Sequence, residues 1–266
     1  MSEKSMQQKL TMGSDKFTLF DTPKFDDSHQ RQCYEKQRLA AAFRVFSYYG
    51  FDEGLAGHIS LRDCIDPETF WVNPVGMHFS LIKASDLVRV SHVGEIVEGA
   101  RPINSAAFAI HSRIHATYPH INAVAHAHSV YGRAFAALGE KLAPISQDAC
   151  MFYENHIMFS HFGGVVADTE EGEKIAQALD NNIAAVLQNH GLLTVGSSVD
   201  AAAANFVMLD SCCHSQLLAQ AAGKLRCIDS ETARKTRAMN ASDLVTWGNF
   251  QPMYQAILAR DDSFLK

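Results

Sequence analysis

The stretch Ala123-Val124-Ala125-His126-Ala127-His128-Ser129 places two histidines in an apolar run near the middle of the 266-residue chain. Small and β-branched residues lead into the pair, which is typical of a buried strand. Successive side chains of a strand point to opposite faces of the sheet, so His126 and His128 are predicted to share one face. Two imidazoles on one face can bind one metal ion, although exposed or hydrogen-bonded histidines are the commoner explanation of a His-Xaa-His triplet.

A third histidine strengthens the case for a metal site. His190 lies in Asn189-His190-Gly191, directly before the strand-like run 192–195. Neutral imidazole binds Zn, Fe, Ni and Cu, and three protein ligands leave an open coordination position for water or substrate. Taken alone, His190 is equally well explained as a turn histidine beside a flexible glycine. Together the three histidines predict a catalytic rather than a structural metal site.

The bulk composition is ordinary for a globular protein, with 47% apolar and 20% charged residues. A net charge of −6 argues against a nucleic-acid-binding surface, which would be basic. The polar opening is unlike a signal peptide, and no apolar run reaches the roughly 18–20 residues of a membrane span. The six cysteines include no Cys-Xaa-Xaa-Cys pair, which favours reduced thiols and a cytoplasmic location.

Hydrophobic periodicity predicts one α/β domain between two less regular termini. Residues 1–28 are expected to form a polar N-terminal arm, residues 29–224 the domain, and residues 225–266 a helical C-terminal extension. The predicted helices lie at 29–49, 105–117, 129–138, 170–179, 199–222, 231–239 and 254–259. The predicted strands include 58–62, 86–90, 122–127, 150–153, 157–159, 184–187 and 192–195.

The histidine motifs and their surroundings resemble the class II aldolase/adducin superfamily over roughly residues 35–223. The resemblance is carried by three stretches, Pro119–Ser129, Asn189-His190-Gly191 and Gly57-His58-Ile59-Ser60-Leu61-Arg62. It implies a three-layer α/β/α sandwich around a mostly antiparallel mixed sheet. It also implies that His126, His128 and His190 bind a divalent metal, with zinc expected first and Fe(II) or Mn as alternatives, and that the chain forms a homotetramer.

One departure from the family concerns proton transfer. The sugar-phosphate aldolases of this superfamily carry a glutamate that serves as the catalytic acid/base, and the matching position is Ala107. Their phosphate-binding asparagine is matched by His58. Cleavage of a carbon–carbon bond needs both a metal-stabilised enediolate and a base. Because alanine cannot transfer a proton, the residue that usually acts as the base is missing.

Two other branches of the superfamily remain open. The segment Ile103–Ser112 resembles the adducin head domain, a binding module that lacks the full histidine set. The segment Phe70–Ser80, together with the intact histidines, resembles the non-haem iron oxygenase-decarboxylases of aminocoumarin biosynthesis. Those enzymes act on arylpyruvate-type acids with Fe(II) and oxygen. Three histidines can bind Fe(II) as well as zinc, and their spacing does not distinguish the two metals.

The expected substrate is a small oxyacid or carbonyl compound. Substrate contacts are predicted for His58, Gly76, His78, Ser105 and Ser129. For His78 the alternative is a surface turn, and residues 153–156 either replace the missing acid/base or form a solvated loop. The sequence therefore favours a metal-dependent lyase with aldolase-type chemistry. An Fe(II)-dependent oxygenase/decarboxylase of 2-oxo acids and a non-catalytic, adducin-like module that binds actin are the alternatives.

Overall fold

An eight-stranded sheet organises the computed structural model, which describes residues 22–164 and 169–266. In chain order its strands are β1 (His58–Arg62), β2 (Thr69–Val72), β3 (Val88–Ser91), β4 (Ile96–Glu98), β5 (Ala123–Ala127), β6 (His156–Phe159), β7 (Ala184–Leu187) and β8 (Gly191–Gly196). Across the sheet the order is β4-β3-β2-β1-β5-β8-β7-β6. Only the β6–β7 pair of this sheet is parallel, which confirms the expected mostly antiparallel mixed sheet.

Helices cover both faces of the sheet. Within the described residues they are α1 (Ser28–Tyr48), α2 (Ser105–Thr117), α3 (Val130–Ala136), α4 (Thr169–Leu179), α5 (Val199–Ala222), α6 (Ser230–Asn240) and α7 (Asp243–Leu258). Helices α1, α3, α5 and α7 contribute to one buried apolar cluster, and α2 and α4 to a second cluster across the sheet. The three-layer α/β/α sandwich is therefore confirmed. No helix in this part of the chain is long and apolar enough to cross a membrane.

Side-chain alternation along β1 and β5 decides which layer each residue meets. Ile59 of β1 and Ala125 of β5 belong to the cluster under α1 and α5, whereas Val124 belongs to the cluster under α2 and α4. Successive strand residues point to opposite faces. The even-numbered residues of β1 and β5, including His58 and His126, therefore face the layer that contains α2.

Two boundaries show how the chain specifies its elements locally. Helix α2 begins at Ser105, as predicted, and Asn104 caps it by accepting hydrogen bonds from the backbone N–H groups of Ala106 and Ala107 at 2.9 and 3.4 Å. The predicted strand at 150–153 is wrong, because Ala149–Phe152 forms a 3-10 helix. The buried side chains of this turn explain its apolar composition, and a short apolar run does not distinguish a strand from a buried helical turn.

The termini differ in how far the structure describes them. Most of the predicted N-terminal arm lies outside the described residues, since the description starts at Thr22. The predicted C-terminal extension contains α6 and α7. Helix α7 packs against α1 and α5, and its Phe250 and Ile257 are buried in their shared cluster. The extension is thus attached to the sandwich through a continuous apolar core.

Candidate metal centre

Strands β5 and β8 bring the three predicted metal ligands together. His126 lies in β5, His128 is the first residue after the end of β5, and His190 immediately precedes β8. Because β5 and β8 are antiparallel neighbours, the end of one strand meets the beginning of the other. One ring nitrogen from each histidine lies within 4.8 Å of the other two. These three residues are called the metal centre below.

The electrostatic setting keeps the three imidazoles neutral. Burial, followed by the neighbouring His190, lowers the pKa of His126 well below its ordinary value. Burial and the nearby His128 lower the pKa of His190 to about 4. The pKa of His128 is lowered by burial and by Arg133. Neutral imidazole is the form that binds metal, so no proton has to be displaced from these rings at neutral pH.

A backbone carbonyl fixes which nitrogen His126 offers to a metal. Its Nδ1 lies 2.8 Å from the carbonyl oxygen of Leu192. A carbonyl can only accept, so Nδ1 carries the hydrogen and Nε2 keeps a lone pair. Orientation of a ligating histidine through its second nitrogen is the usual arrangement in metal sites.

Two backbone positions allow His190 to approach the strand end of β5. Asn189 has a φ of +57°, in the left-handed region that asparagine tolerates better than most residues. A Cβ at Gly191 would lie 3.0 Å from the carbonyl oxygen of Ala127 and 3.5 Å from the rings of His126 and His128. The absence of a side chain at Gly191 thus permits the close approach of the two strands.

The donor set fits a divalent metal such as zinc or Fe(II). It consists of neutral imidazoles held on two paired strands, and within the described residues no carboxylate or cysteine joins this cluster. Three imidazoles leave coordination positions for small ligands. The arrangement is therefore suited to catalysis on a bound small molecule rather than to a closed structural site.

His58 lies beside the metal centre. It pairs directly with His126 across the β1–β5 ladder, and the two ring centroids are 4.9 Å apart. Burial lowers the pKa of His58 well below its ordinary value, and the nearby His111, His190 and His128 add to this effect. The structure therefore places this predicted substrate contact next to the predicted ligands, as a neutral and nearly fully buried imidazole.

A buried chain of hydrogen-bonding groups runs from His58 away from the metal centre. His58 Nδ1 lies 2.8 Å from His111 Nε2, His111 Nδ1 lies 2.7 Å from Ser60 Oγ, and Ser60 Oγ lies 2.8 Å from His115 Nε2. These four residues are called the histidine chain below. Sequence reasoning missed His111 and His115. Their i,i+4 spacing with Ala107 places them on one face of α2, but the spacing does not show that this face packs against β1.

The remaining predicted substrate contacts lie in different settings. Ser129 is buried at the start of α3, directly after the metal centre's second histidine. Ser105 is exposed in the first turn of α2. Gly76 and His78 lie in the exposed turn after β2, where His78 Nε2 is 3.2 Å from the carboxylate of Asp52. The structure thus brings only part of this set into the buried neighbourhood of the histidines.

The 153–156 cluster is held by structural contacts. Glu154 is exposed and accepts two hydrogen bonds from Arg234, at 2.7 and 2.8 Å. His156 is buried, its Nδ1 lies 2.6 Å from the carbonyl oxygen of Phe152, and its Nε2 accepts a backbone N–H. Both ring nitrogens of His156 are engaged in hydrogen bonds, so this histidine stabilises the turn. Glu154 forms a surface ion pair with Arg234.

The fold and the site together define an α/β sandwich of the class II aldolase type with a three-histidine candidate metal centre. The chain belongs to the class II aldolase and adducin N-terminal domain family, whose model matches residues 37–217. This confirms the resemblance inferred from the sequence.

Two relatives are similar over most of the chain. Decarboxylase NovR of Streptomyces niveus is 48% identical over 241 residues, which are 90% of this chain and 89% of the relative. A protein of Streptomyces roseochromogenus subsp. oscitans named 4-hydroxy-3-prenylphenylpyruvate oxygenase/4-hydroxy-3-prenylbenzoate synthase is 46% identical over 241 residues, 90% of this chain and 87% of that protein.

A solved structure shares the fold closely. L-fuculose 1-phosphate aldolase from Glaciozyma antarctica PI12 superposes with a TM-score of 0.85 at 39% identity, covering 91% of this chain and 95% of that chain. The names of the similar proteins thus include a decarboxylase, an oxygenase/synthase and an aldolase.

Proposed function

We propose that this protein is an Fe(II)-dependent oxygenase/decarboxylase that acts on an aryl-substituted 2-oxo acid. The observation that carries the proposal is a metal centre made of neutral imidazoles alone, with a buried methyl group at Ala107 where an aldolase-type acid/base would stand. The names of the two relatives at 48% and 46% identity point to the same reaction class.

The side chains around the centre suit this chemistry. His126, His128 and His190 would hold the metal, which when bound supplies the redox chemistry that couples oxygen to the loss of a carboxylate as carbon dioxide. His58 offers a neutral polar group beside the ligands. The exposed ring of Phe162 lies 6.5 Å from His190 between centroids and offers an apolar surface for an aromatic substrate.

The test is oxygen uptake by protein reconstituted anaerobically with Fe(II) and then supplied with 4-hydroxyphenylpyruvate or its 3-prenyl derivative. We expect oxygen consumption and carbon dioxide release in equal amounts, because the reaction uses one oxygen molecule for each carboxylate lost. The zinc-loaded protein serves as the matched control and is expected to be inactive, since zinc has no redox chemistry. Absence of uptake above that control with both acids would contradict the proposal.

A metal-dependent lyase is the second candidate function. It is favoured by the likeness to the structure named L-fuculose 1-phosphate aldolase, at 39% identity. In this case the zinc-loaded protein would cleave a sugar phosphate without oxygen. The adducin-like alternative corresponds to a third outcome, in which neither the Fe(II)-loaded nor the zinc-loaded protein converts a 2-oxo acid or a sugar phosphate.

We further propose that the chain acts in the cytoplasm as a homo-oligomer, with a tetramer as the expected state. Val130 and Tyr131, on the first turn of α3 after the metal centre, are 54% and 38% exposed. Light scattering is expected to give about four times the chain mass of 29.3 kDa. We propose that this exposed apolar pair lies in the subunit contact, so Val130→Asp should reduce that mass by placing a charge there. A wild-type protein that is monomeric at micromolar concentration would contradict this assembly.

A further inference from the structure

An ion pair joins two chain segments that adjoin the metal centre. Arg133 Nη2 lies 2.8 Å from Glu53 Oε2. Arg133 belongs to α3, which starts two residues after His128, and Glu53 belongs to the loop that leads into β1. Strands β1 and β5 are neighbours, and His58 at the start of β1 pairs with His126 near the end of β5. Both segments therefore leave the sheet at the end that carries the metal centre.

The side chain of Arg133 is directed back toward that end of the sheet. Its backbone N–H donates to the carbonyl oxygen of Ser129 at 2.9 Å, so Arg133 lies one turn into α3. Side chains of a helix lean toward its N-terminus, and the residue before Ser129 is His128. Burial and then the positive charge of Arg133 lower the pKa of His128, whereas Glu53 raises it. Both charges thus act on a candidate metal ligand.

The loop that carries Glu53 passes close to a second candidate ligand. A Cβ at Gly57, the last residue of this loop, would lie 3.4 Å from the carbonyl oxygen of His126. The ion pair of Glu53 with Arg133 therefore connects a loop that contacts the strand of His126 with the helix that follows His128. An acid bound at the metal centre would have this guanidinium in its neighbourhood.

The ion pair is exposed enough to exchange its carboxylate. The side chains of Arg133 and Glu53 are 43% and 54% exposed, and exposed ion pairs add little to stability. A guanidinium binds a carboxylate through two parallel hydrogen bonds, whichever molecule supplies it. The neighbouring Asp52 has its own partner, since its carboxylate lies 3.2 Å from His78 Nε2. A ligand carboxylate would thus have to displace Glu53 alone.

We propose that Arg133 binds the carboxylate of an acid held at the metal centre, and that Glu53 occupies the guanidinium in the free protein. Resting on the proposed function, this makes Arg133 the residue that recognises the carboxylate of the 2-oxo acid. The three neutral imidazoles carry no negative charge, so the candidate ligands themselves do not repel an anionic substrate. Arg133 supplies the attraction from a position that needs no contact with the ligands.

Calorimetric titration of the full-length, zinc-loaded protein with 4-hydroxyphenylpyruvate tests this assignment. Arg133→Gln is expected to raise the dissociation constant at least about tenfold, because a charge-assisted pair of hydrogen bonds is lost. Arg133→Lys keeps the charge but not the planar fork, so an intermediate constant is expected. Bound zinc is measured in each variant and is expected to be unchanged, since Arg133 is not among the candidate ligands.

Glu53→Gln is expected to change the affinity in the opposite direction. The variant removes the carboxylate with which the acid competes, so the dissociation constant should fall by about twofold to fivefold. An ion pair that merely fixed the loop against α3 would give a different result. In that case Arg133→Gln and Glu53→Gln would break the same contact and weaken binding alike.

The matched control is Arg234→Gln. Arg234 lies in α6, and its Nη2 is 2.7 Å from Glu154 Oε1, in an ion pair about as exposed as that of Arg133. Its loss should leave the affinity for 4-hydroxyphenylpyruvate as in the wild type. The same substitution is thus made in a surface ion pair that joins no segment next to the metal centre.

A phosphate probe separates the two anions that a guanidinium binds well. Dihydroxyacetone phosphate is titrated into the same variants. An Arg133→Gln effect confined to this phosphate, equal weakening in Arg133→Gln and Glu53→Gln, or no binding of the acid to the wild type would overturn the assignment. So would an Arg133→Gln protein that binds the acid as tightly as the wild type. Binding to the zinc-loaded protein needs no oxygen, so failure of the proposed function is recognised separately by the oxygen-uptake test.

Discussion

His126→Ala is expected to lower bound metal from about one equivalent to less than about a tenth of an equivalent per chain, since three-ligand sites depend on every ligand. His126 is the ligand most firmly oriented by the protein, through its Nδ1 contact with the carbonyl of Leu192. The substitution leaves only two of the three candidate ligands, His128 after β5 and His190 before β8. Elemental analysis of protein purified without added metal, followed by titration with zinc and with Fe(II), measures the effect.

His120→Ala is the matched control for the metal prediction. His120 is an exposed histidine that precedes β5, at the opposite end of the strand from the metal centre. It receives the same substitution but belongs to no group of possible metal ligands among residues 22–164 and 169–266. Equal metal content in the two variants would show that the bound ion lies elsewhere, and the proposed function would lose its site.

The main elements of the fold follow from periodicity and capping. Helix α5 runs over Val199–Ala222, as predicted, because Ser198 caps its start and Gly223 follows its end. The last helix was predicted only from Tyr254, but α7 begins at Asp243 and contains Pro252. Proline disfavours a helix interior, and here the burial of flanking apolar side chains against α1 and α5 outweighs that local preference.

The grouping of the three candidate ligands was predictable from the sequence because they lie on or next to two strands with clear patterns. His126 and His128 share a face by the alternation of a strand, and His190 precedes a second apolar run. The histidine chain was not readable in the same way. The contact of His111 with His58 depends on how α2 packs across β1, and this tertiary relation has no local signature. The surroundings of the three histidines were therefore predicted less completely than their grouping.

Acid is expected to destabilise the metal-free protein below about pH 6.5. Burial lowers the pKa of His58, His111 and His115 in the folded state, whereas in the unfolded chain they titrate at about 6.5. Below that pH the unfolded state binds more protons, so the free energy of unfolding falls as the pH falls. Each histidine is expected to contribute on the order of 1 kcal/mol to this fall between pH 7.5 and 5.5. Urea unfolding in EDTA at the two pH values measures the difference.

His115→Phe separates this effect from the acid sensitivity of the rest of the chain. Phenylalanine cannot be protonated in either state, so the loss of stability between pH 7.5 and 5.5 should shrink by on the order of 1 kcal/mol. His120→Phe makes the same change at an exposed position and should leave the pH dependence nearly as in the wild type. EDTA is essential, because bound metal stabilises the folded state and competes with protons for its ligands. An unchanged pH dependence in His115→Phe would mean that His115 takes up its proton in the folded state, which a buried ring close to the cationic Arg62 should resist.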